Sequence, residues 1–124
     1  MKILTVALLS VVALGLVFSF AFAAGDMAKG KALFNDPKLG GGTAGKSCNS
    51  CHPGGKGLEK AGAKKEFNIM GLKQDSLEAA VNFCIIKPLK GKAIDPKGAD
   101  MTNIVAYIKS LSEKPEAPKK APGY

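Results

Sequence analysis

The chain has 124 residues and a formal net charge of +8, from 18 basic and 10 acidic side chains, and it contains three cysteines, one histidine and no tryptophan. This length predicts one small domain; three cysteines exclude a disulfide-dense scaffold, and a single long apolar run excludes a multi-span membrane protein. About 90 foldable residues lie beyond that run, and chains of this size often recruit a metal or another cofactor to complete their core.

The first segment predicts an export signal. Lys2 is followed by an apolar run that extends to Phe22, and the small residues Ala21 and Ala23 stand where the run ends. A cationic start, an apolar stretch and a small-x-small site are typical of a secretory signal peptide. We therefore expect residues 1–23 to be removed and the remainder to be periplasmic; if the segment were retained, it is long enough to span a bilayer.

A first short helix is predicted directly after the export signal. Asp26 can cap a helix over residues 28–34, and Pro37 stops it. The glycine-rich segment 39–46 has no periodicity and predicts a flexible loop. No segment of the chain has a convincing strand pattern.

Two longer helices are predicted in the second half. Asp75 and Ser76 can cap one helix that Pro88 ends, and Asp95 followed by Pro96 can start the last one. Each helix has an apolar face at helical spacing, formed by Leu77, Val81, Cys84 and Ile85 in one and by Met101, Ile104, Val105, Ile108 and Leu111 in the other. Residues 112–124 are rich in proline and lysine and predict a disordered tail, which leaves residues 24–111 as the folded domain.

The chemistry of the chain is concentrated in the motif Cys48-Asn49-Ser50-Cys51-His52. Two thiols at this spacing can each add to a vinyl group on one haem, and the imidazole that follows then reaches the iron. The motif therefore predicts one haem c attached through Cys48 and Cys51, with His52 as an iron ligand.

Three other interpretations of the motif fit less well. A redox Cys-x-x-Cys site needs a strand-to-helix setting of the thioredoxin type, for which the sequence gives no sign. A zinc site needs four ligands, and Cys84 is the only further thiol. A disulfide between Cys48 and Cys51 would close a very small loop and leave His52 without a role.

With these residues in place, the chain resembles the monohaem class I cytochromes c. Gly30, Phe34 and Tyr107 resemble that family's helix-crossing residues, and residues 68–72 resemble its loop past the haem. The resemblance implies a small all-α fold with three main helices around one covalently bound haem. The 13 residues between Phe34 and Cys48 form a longer insertion than in compact members. This insertion resembles a bacterial branch that includes ligand-binding and sulfur-oxidising cytochromes.

The sequence alone leaves several candidates for the sixth iron ligand. His52 is the only histidine, which excludes bis-histidine ligation. Met101 is our preferred ligand, although it lies on the apolar stripe of the last helix. The alternatives are Met70, Cys84, a lysine or an empty sixth position, and Met27 is poorly placed. For Cys84, a buried apolar role, a thiolate ligand and an intermolecular disulfide all stay open.

The lysines predict an acidic partner. The chain has no arginine, and lysines flank the haem-binding segments at Lys56, Lys60, Lys64, Lys65, Lys87, Lys90, Lys92 and Lys97. Positive charge around a haem edge steers acidic redox proteins, although any single lysine is also ordinary solvated surface. We expect a monomeric electron carrier rather than an enzyme, with no nucleic-acid role. The alternatives are a ligand-binding or sensory haem protein, or the haem subunit of an exported oxidoreductase.

Overall fold

The structure, a computed structural model, describes residues 24–113. The predicted export signal at 1–23 and most of the predicted tail lie outside the described residues. The helices are α1 (Met27–Asn35), α2 (Cys48–Cys51), α3 (Leu77–Ile86) and α4 (Ala99–Ser110). Two strands, β1 (Phe67–Ile69) and β2 (Leu72–Gln74), lie between α2 and α3, and short 3-10 turns occur at Leu39–Gly41, Pro53–Gly55, Ala61–Ala63 and Leu111–Glu113. The described part of the chain is therefore mostly helical.

The capping residues predicted for the first two helices are confirmed. Asp26 accepts hydrogen bonds through its side chain from the amides of Ala28 (2.9 Å) and Lys29 (3.1 Å) at the start of α1. Ser76 Oγ accepts from the amide of Ala79 (3.0 Å) at the start of α3. These bonds satisfy amides that the first turn of a helix leaves without partners, which fixes where each helix begins.

The predicted start of the last helix was wrong by a few residues. α4 begins at Ala99 with Gly98 as its N-cap, whereas Asp95 closes a separate turn by accepting from the amides of Lys97 (2.9 Å) and Gly98 (3.0 Å). An aspartate before a proline starts a turn as readily as a helix, because its side chain bonds the backbone two residues further on. The apolar stripe of the helix is buried as predicted, from Met101 through Leu111.

The absence of strands was also predicted wrongly. β1 and β2 pair antiparallel, with Asn68 opposite Lys73, and are joined by Met70 and Gly71. Both turn residues have positive φ, 54° and 79°. Two-residue turns of this kind favour Asn-Gly, so a methionine in the first position conceals the hairpin from a sequence pattern.

The loop predicted to be flexible at 39–46 is anchored. Leu39 is buried, and the carbonyl of Gly40 accepts from the amide of Lys92 (2.8 Å). The amides of Thr43 (3.0 Å) and Ala44 (3.1 Å) both donate to the carbonyl of Leu89. The long insertion before the cysteine motif is therefore tied to the segment that follows α3.

The first and last long helices pack closely at their crossing. Gly30 of α1 lies against the backbone of Asn103 in α4, where an added Cβ would also lie 2.8 Å from Cβ of Tyr107. One turn further along α1, the rings of Phe34 and Tyr107 meet edge to face with centroids 5.2 Å apart. The two helices thus form one wall of the core.

Among residues 24–113, no helix is long and apolar enough to cross a membrane.

Candidate haem site

The two thiols of the motif lie on a single helical turn. Residues three apart on a helix are neighbours on its surface, which places Cys48 and Cys51 of α2 side by side. The turn is closed at its start by the amide of Ser47, which donates to Oγ of Ser50 (3.0 Å). Cys48 packs against the hydrophobic core, whereas Cys51 is exposed.

His52 ends this helical turn, and its ring is oriented by the backbone. Its amide donates to the carbonyl of Cys48 (2.9 Å), and its Nδ1 lies 3.1 Å from the carbonyl of Lys56. A carbonyl only accepts, so Nδ1 carries the proton and Nε2 keeps its lone pair for a metal. Asn49 steadies the turn after His52 by accepting from the amide of Gly54 (2.8 Å).

The side chains of Cys48, Cys51 and His52 border a cavity of about 490 Å³. This volume is within the range of pockets that hold small-molecule cofactors. The remaining walls are mainly apolar and come from α1, the segment between α2 and the hairpin, the hairpin, α3 with the residues that follow it, and α4: Phe34, Leu58, Ala61, Phe67, Ile69, Leu77, Ala80, Val81, Pro88, Leu89 and Ile108. A broad apolar cavity with two thiols and an imidazole at one side fits a covalently attached haem.

The candidates for the sixth ligand are separated by the fold. Cys84 of α3 and Met70 of the hairpin turn both line the cavity. Met101 does not: its fully buried side chain borders a different cleft of about 230 Å³, together with Glu78 and Pro96. The structure therefore brings Cys48, Cys51 and His52 together and leaves Met101 apart from them, in the core position that its apolar stripe also predicts.

Burial of the thiols raises their pKa values. Burial is the main cause that raises the pKa of Cys48 to about 11, with a further contribution from the nearby Cys84. The pKa of Cys84 is also raised, by burial first and by Cys51 second. The pKa values of Cys48 and Cys84 are thus each raised in part by a nearby cysteine, and without a bound metal both of these groups are neutral thiols at ordinary pH.

The alternative interpretations of the motif find no support in the described region. Cys48, Cys51 and Cys84 are free thiols rather than disulfide partners. Within residues 24–113, no group of three or more His, Cys, Asp or Glu side chains could hold a metal ion. The short helix α2 follows a loop and a 3-10 turn rather than a strand, so the thioredoxin-type setting is missing there.

Sequence reasoning missed two parts of this site. The carbonyl of Lys56, which orients His52, carries no sequence signal because every residue has a carbonyl. The resemblance placed residues 68–72 beside the haem, but it did not predict the hairpin that brings Phe67 and Ile69 to the cavity. Their alternation around Asn68 is a signal, but strands of three residues are too short to distinguish it from chance.

A mostly helical domain with this attachment motif at the edge of an apolar cavity is a c-type cytochrome domain. Residues 29–116 match the family model described as SoxA/TsdA, cytochrome c domain, and the chain belongs to that family. The matched region includes the whole motif, the hairpin and Cys84, and it confirms the predicted resemblance to class I-like c-type cytochromes. No curated protein and no solved structure matches the chain.

Proposed function

We propose that the protein is a periplasmic electron carrier with a single haem c attached through Cys48 and Cys51. The observation that carries the proposal is the placement of two thiols and an oriented imidazole on one turn at the edge of an apolar cavity. A bound haem supplies an Fe(II)/Fe(III) couple. In this assignment the two cysteines fix the group, His52 ligates it through Nε2, and the apolar walls exclude water.

For the sixth ligand we propose Cys84 in place of Met101. Cys84 lies on the rigid helix α3, is half-buried and lines the cavity, whereas Met101 lines another cleft. Met70 also reaches the cavity, but its side chain is 79% exposed on a turn with positive φ. A metal deprotonates a coordinating thiol despite a raised pKa, and thiolate ligation gives a lower reduction potential than methionine ligation.

Three alanine variants distinguish these candidates. We expect Cys84→Ala to change the ligand-sensitive absorption bands and raise the reduction potential, because a thiolate is lost. Met101→Ala should leave both unchanged and reduce the free energy of unfolding by about 3 kcal/mol, as for other buried methionines. Absorption spectra and redox titration of the purified holoproteins make the measurement.

Either of two results would contradict the assignment. A spectral change in Met101→Ala or Met70→Ala, with Cys84→Ala unchanged, would transfer the ligand role to that methionine. A wild-type reduced form that is high-spin and binds CO without displacing a ligand would instead favour the ligand-binding or sensory alternative, with an empty sixth position.

The surface around the cavity is suited to an acidic redox partner. Lys64 borders the cavity and is exposed, and Lys65 beside it is exposed as well. Glu66 borders the same cavity, but its carboxylate is paired with Lys73 (2.8 Å). The hairpin adds two exposed apolar side chains, Met70 and Leu72, at 79% and 54%. A small apolar contact within a positively charged surface favours weak, fast association with a negatively charged protein.

Charge steering is measurable with small redox reagents. We expect the reduced holoprotein to be oxidised by ferricyanide, an anion, at a rate that falls as salt is added. Lys64→Glu should lower this rate about threefold at low salt and should favour the cationic oxidant hexaamminecobalt(III). Lys31→Glu on α1 makes the same charge change at an exposed residue that does not line the cavity. Equal effects of the two variants would show that only net charge matters, and would contradict the proposal that an acidic partner binds beside the cavity.

The exposed apolar hairpin also fits a second arrangement, in which the protein is the haem subunit of an exported oxidoreductase. A permanent subunit interface is more apolar than a transient one, and Met70 with Leu72 would lie in it. Copurification with a larger subunit in a fixed ratio that survives high salt would favour this arrangement over a free carrier.

A further inference from the structure

The side chain of Asn82 fastens the segment after α3 back onto the helix. Its Nδ2 donates to the carbonyl of Ile94 (2.9 Å), and its Oδ1 accepts from the amide of the same residue (2.9 Å). One side-chain amide thus pairs with both polar groups of one residue, twelve positions further along the chain. Ile94 also packs against the core. The two hydrogen bonds and this apolar contact together hold the segment after α3 at its C-terminal end.

The fastened segment forms part of the cavity wall. Pro88 and Leu89 line the cavity beside Cys84. The amide of Leu89 donates to the carbonyl of Cys84 (3.2 Å), and the amide of Gly91 donates to the carbonyl of Ile85 (2.8 Å). The last turn of α3, which carries the thiol, is therefore held by the same segment that Asn82 closes.

Asn82 itself does not reach the cavity. Residues two positions apart are rotated by about 200° about the helix axis, so Asn82 and Cys84 point to nearly opposite sides of α3. Consistent with this, Leu77, Ala80, Val81 and Cys84 line the cavity and Asn82 does not. Any influence of Asn82 on the site must pass through the position of the segment and of Cys84.

We propose that Asn82 is a positioning residue that keeps the segment 87–94 closed and thereby holds Cys84 in the wall of the cavity, shielded from solvent. The part of this proposal that concerns the haem rests on the proposed function, in which Cys84 is the sixth ligand. The effect on the exposure of the thiol does not depend on that assignment, because Leu89 bonds to the carbonyl of Cys84 and lines the cavity beside it whichever group ligates the iron.

The test compares Asn82→Ala with Asn103→Ala in the exported holoprotein. Asn103 is a matched control: its Oδ1 also accepts a backbone hydrogen bond across the fold, from the amide of Asp26 (2.8 Å), but Asp26 and the residues beside it do not line the cavity. We expect iodoacetamide to alkylate Cys84 roughly tenfold faster in Asn82→Ala, because two hydrogen bonds that oppose local opening are lost. Peptide mapping identifies the alkylated cysteine, and Asn103→Ala should lower the thermal midpoint without changing this rate.

The absorption spectrum separates this proposal from the assignment of the ligand. Faster alkylation with altered ligand-sensitive bands supports both. Faster alkylation with a spectrum that stays unaltered after Cys84 has been alkylated supports the role of Asn82 and contradicts Cys84 as the ligand. An alkylation rate equal to that of Asn103→Ala at equal loss of stability would overturn the proposal, since Asn82 would then be merely structural.

A measurement on the unsubstituted protein covers the case in which Asn82→Ala does not fold. The amide of Ile94 has the Asn82 side chain as its acceptor. We expect its hydrogen exchange to be slowed at least tenfold relative to an unprotected amide, as for other hydrogen-bonded groups in closed segments. Exchange at the unprotected rate would show that the segment is open and would overturn the proposal independently of any variant.

Discussion

Replacing Cys48 and Cys51 together by alanine is expected to abolish covalent haem attachment completely. The two sulfurs are the groups on α2 that can form the thioether bonds, and they lie one turn apart at the edge of the cavity. The double variant also removes the apolar body that would fill about 490 Å³ at the centre of a domain of this size. We therefore expect loss of haem absorbance from the denatured chain and loss of a cooperative unfolding transition.

The control for this prediction is Cys84→Ala. It removes a thiol from the same cavity, so it matches the chemistry of the substitution. The haem should stay with the denatured polypeptide in this variant, although the spectrum of the native protein changes. Haem that remains attached after denaturation of the double variant would mean that the motif is not the attachment site.

The candidate attachment motif and its candidate ligand could be predicted from the sequence because they are local. Cys48, Cys51 and His52 are close in the chain, and their chemistry depends on spacing within one turn. The caps at Asp26 and Ser76 were readable for the same reason, since a cap acts on amides two or three residues away. Local rules therefore gave the start of two helices and three residues of the site.

The sequence could not predict which side chain lies across the cavity from the motif, because that depends on contacts between distant segments. Met101 and Cys84 both lie on apolar helix faces, and nothing in a helical period says which face meets the cavity. The fold decides it by turning α3 toward the motif and placing Met101 beside Glu78 instead. The same limit applies to Asn82, whose partner Ile94 is identified only by the path of the chain.

The resemblance seen in the sequence implies that α1 and α4 cross, and the structure shows which atoms meet at the crossing. The resemblance to class I cytochromes implies a helix crossing at Gly30, Phe34 and Tyr107, and the structure shows that Gly30 faces the backbone of Asn103 there. The carbonyl of Asn103 occupies the space that a Cβ would need, and backbone cannot rotate away as a flexible side chain can. The crossing therefore depends on the absence of a side chain at this position.

Gly30→Ala is accordingly expected to reduce the free energy of unfolding by about 3 kcal/mol, because the helices must separate to admit the methyl group. For a domain of this size the corresponding decrease in Tm is about 12 °C or more. The control is Gly45→Ala, where an added Cβ has open space but φ is +65°. Its cost should be limited to about 1 kcal/mol of backbone strain. Thermal unfolding of the holoproteins followed by circular dichroism gives both values.

The same substitution also separates helix packing from haem attachment. Phe34 of α1 and Ile108 of α4 line the cavity, so separating the helices widens its wall. The thioether bonds do not depend on that wall, and we expect Gly30→Ala to retain covalent haem while losing stability. A Tm equal to that of Gly45→Ala would mean that the helices do not meet at Gly30. Loss of covalent haem would mean instead that attachment requires the two helices to be packed first, which would make this crossing a condition for maturation as well as for stability.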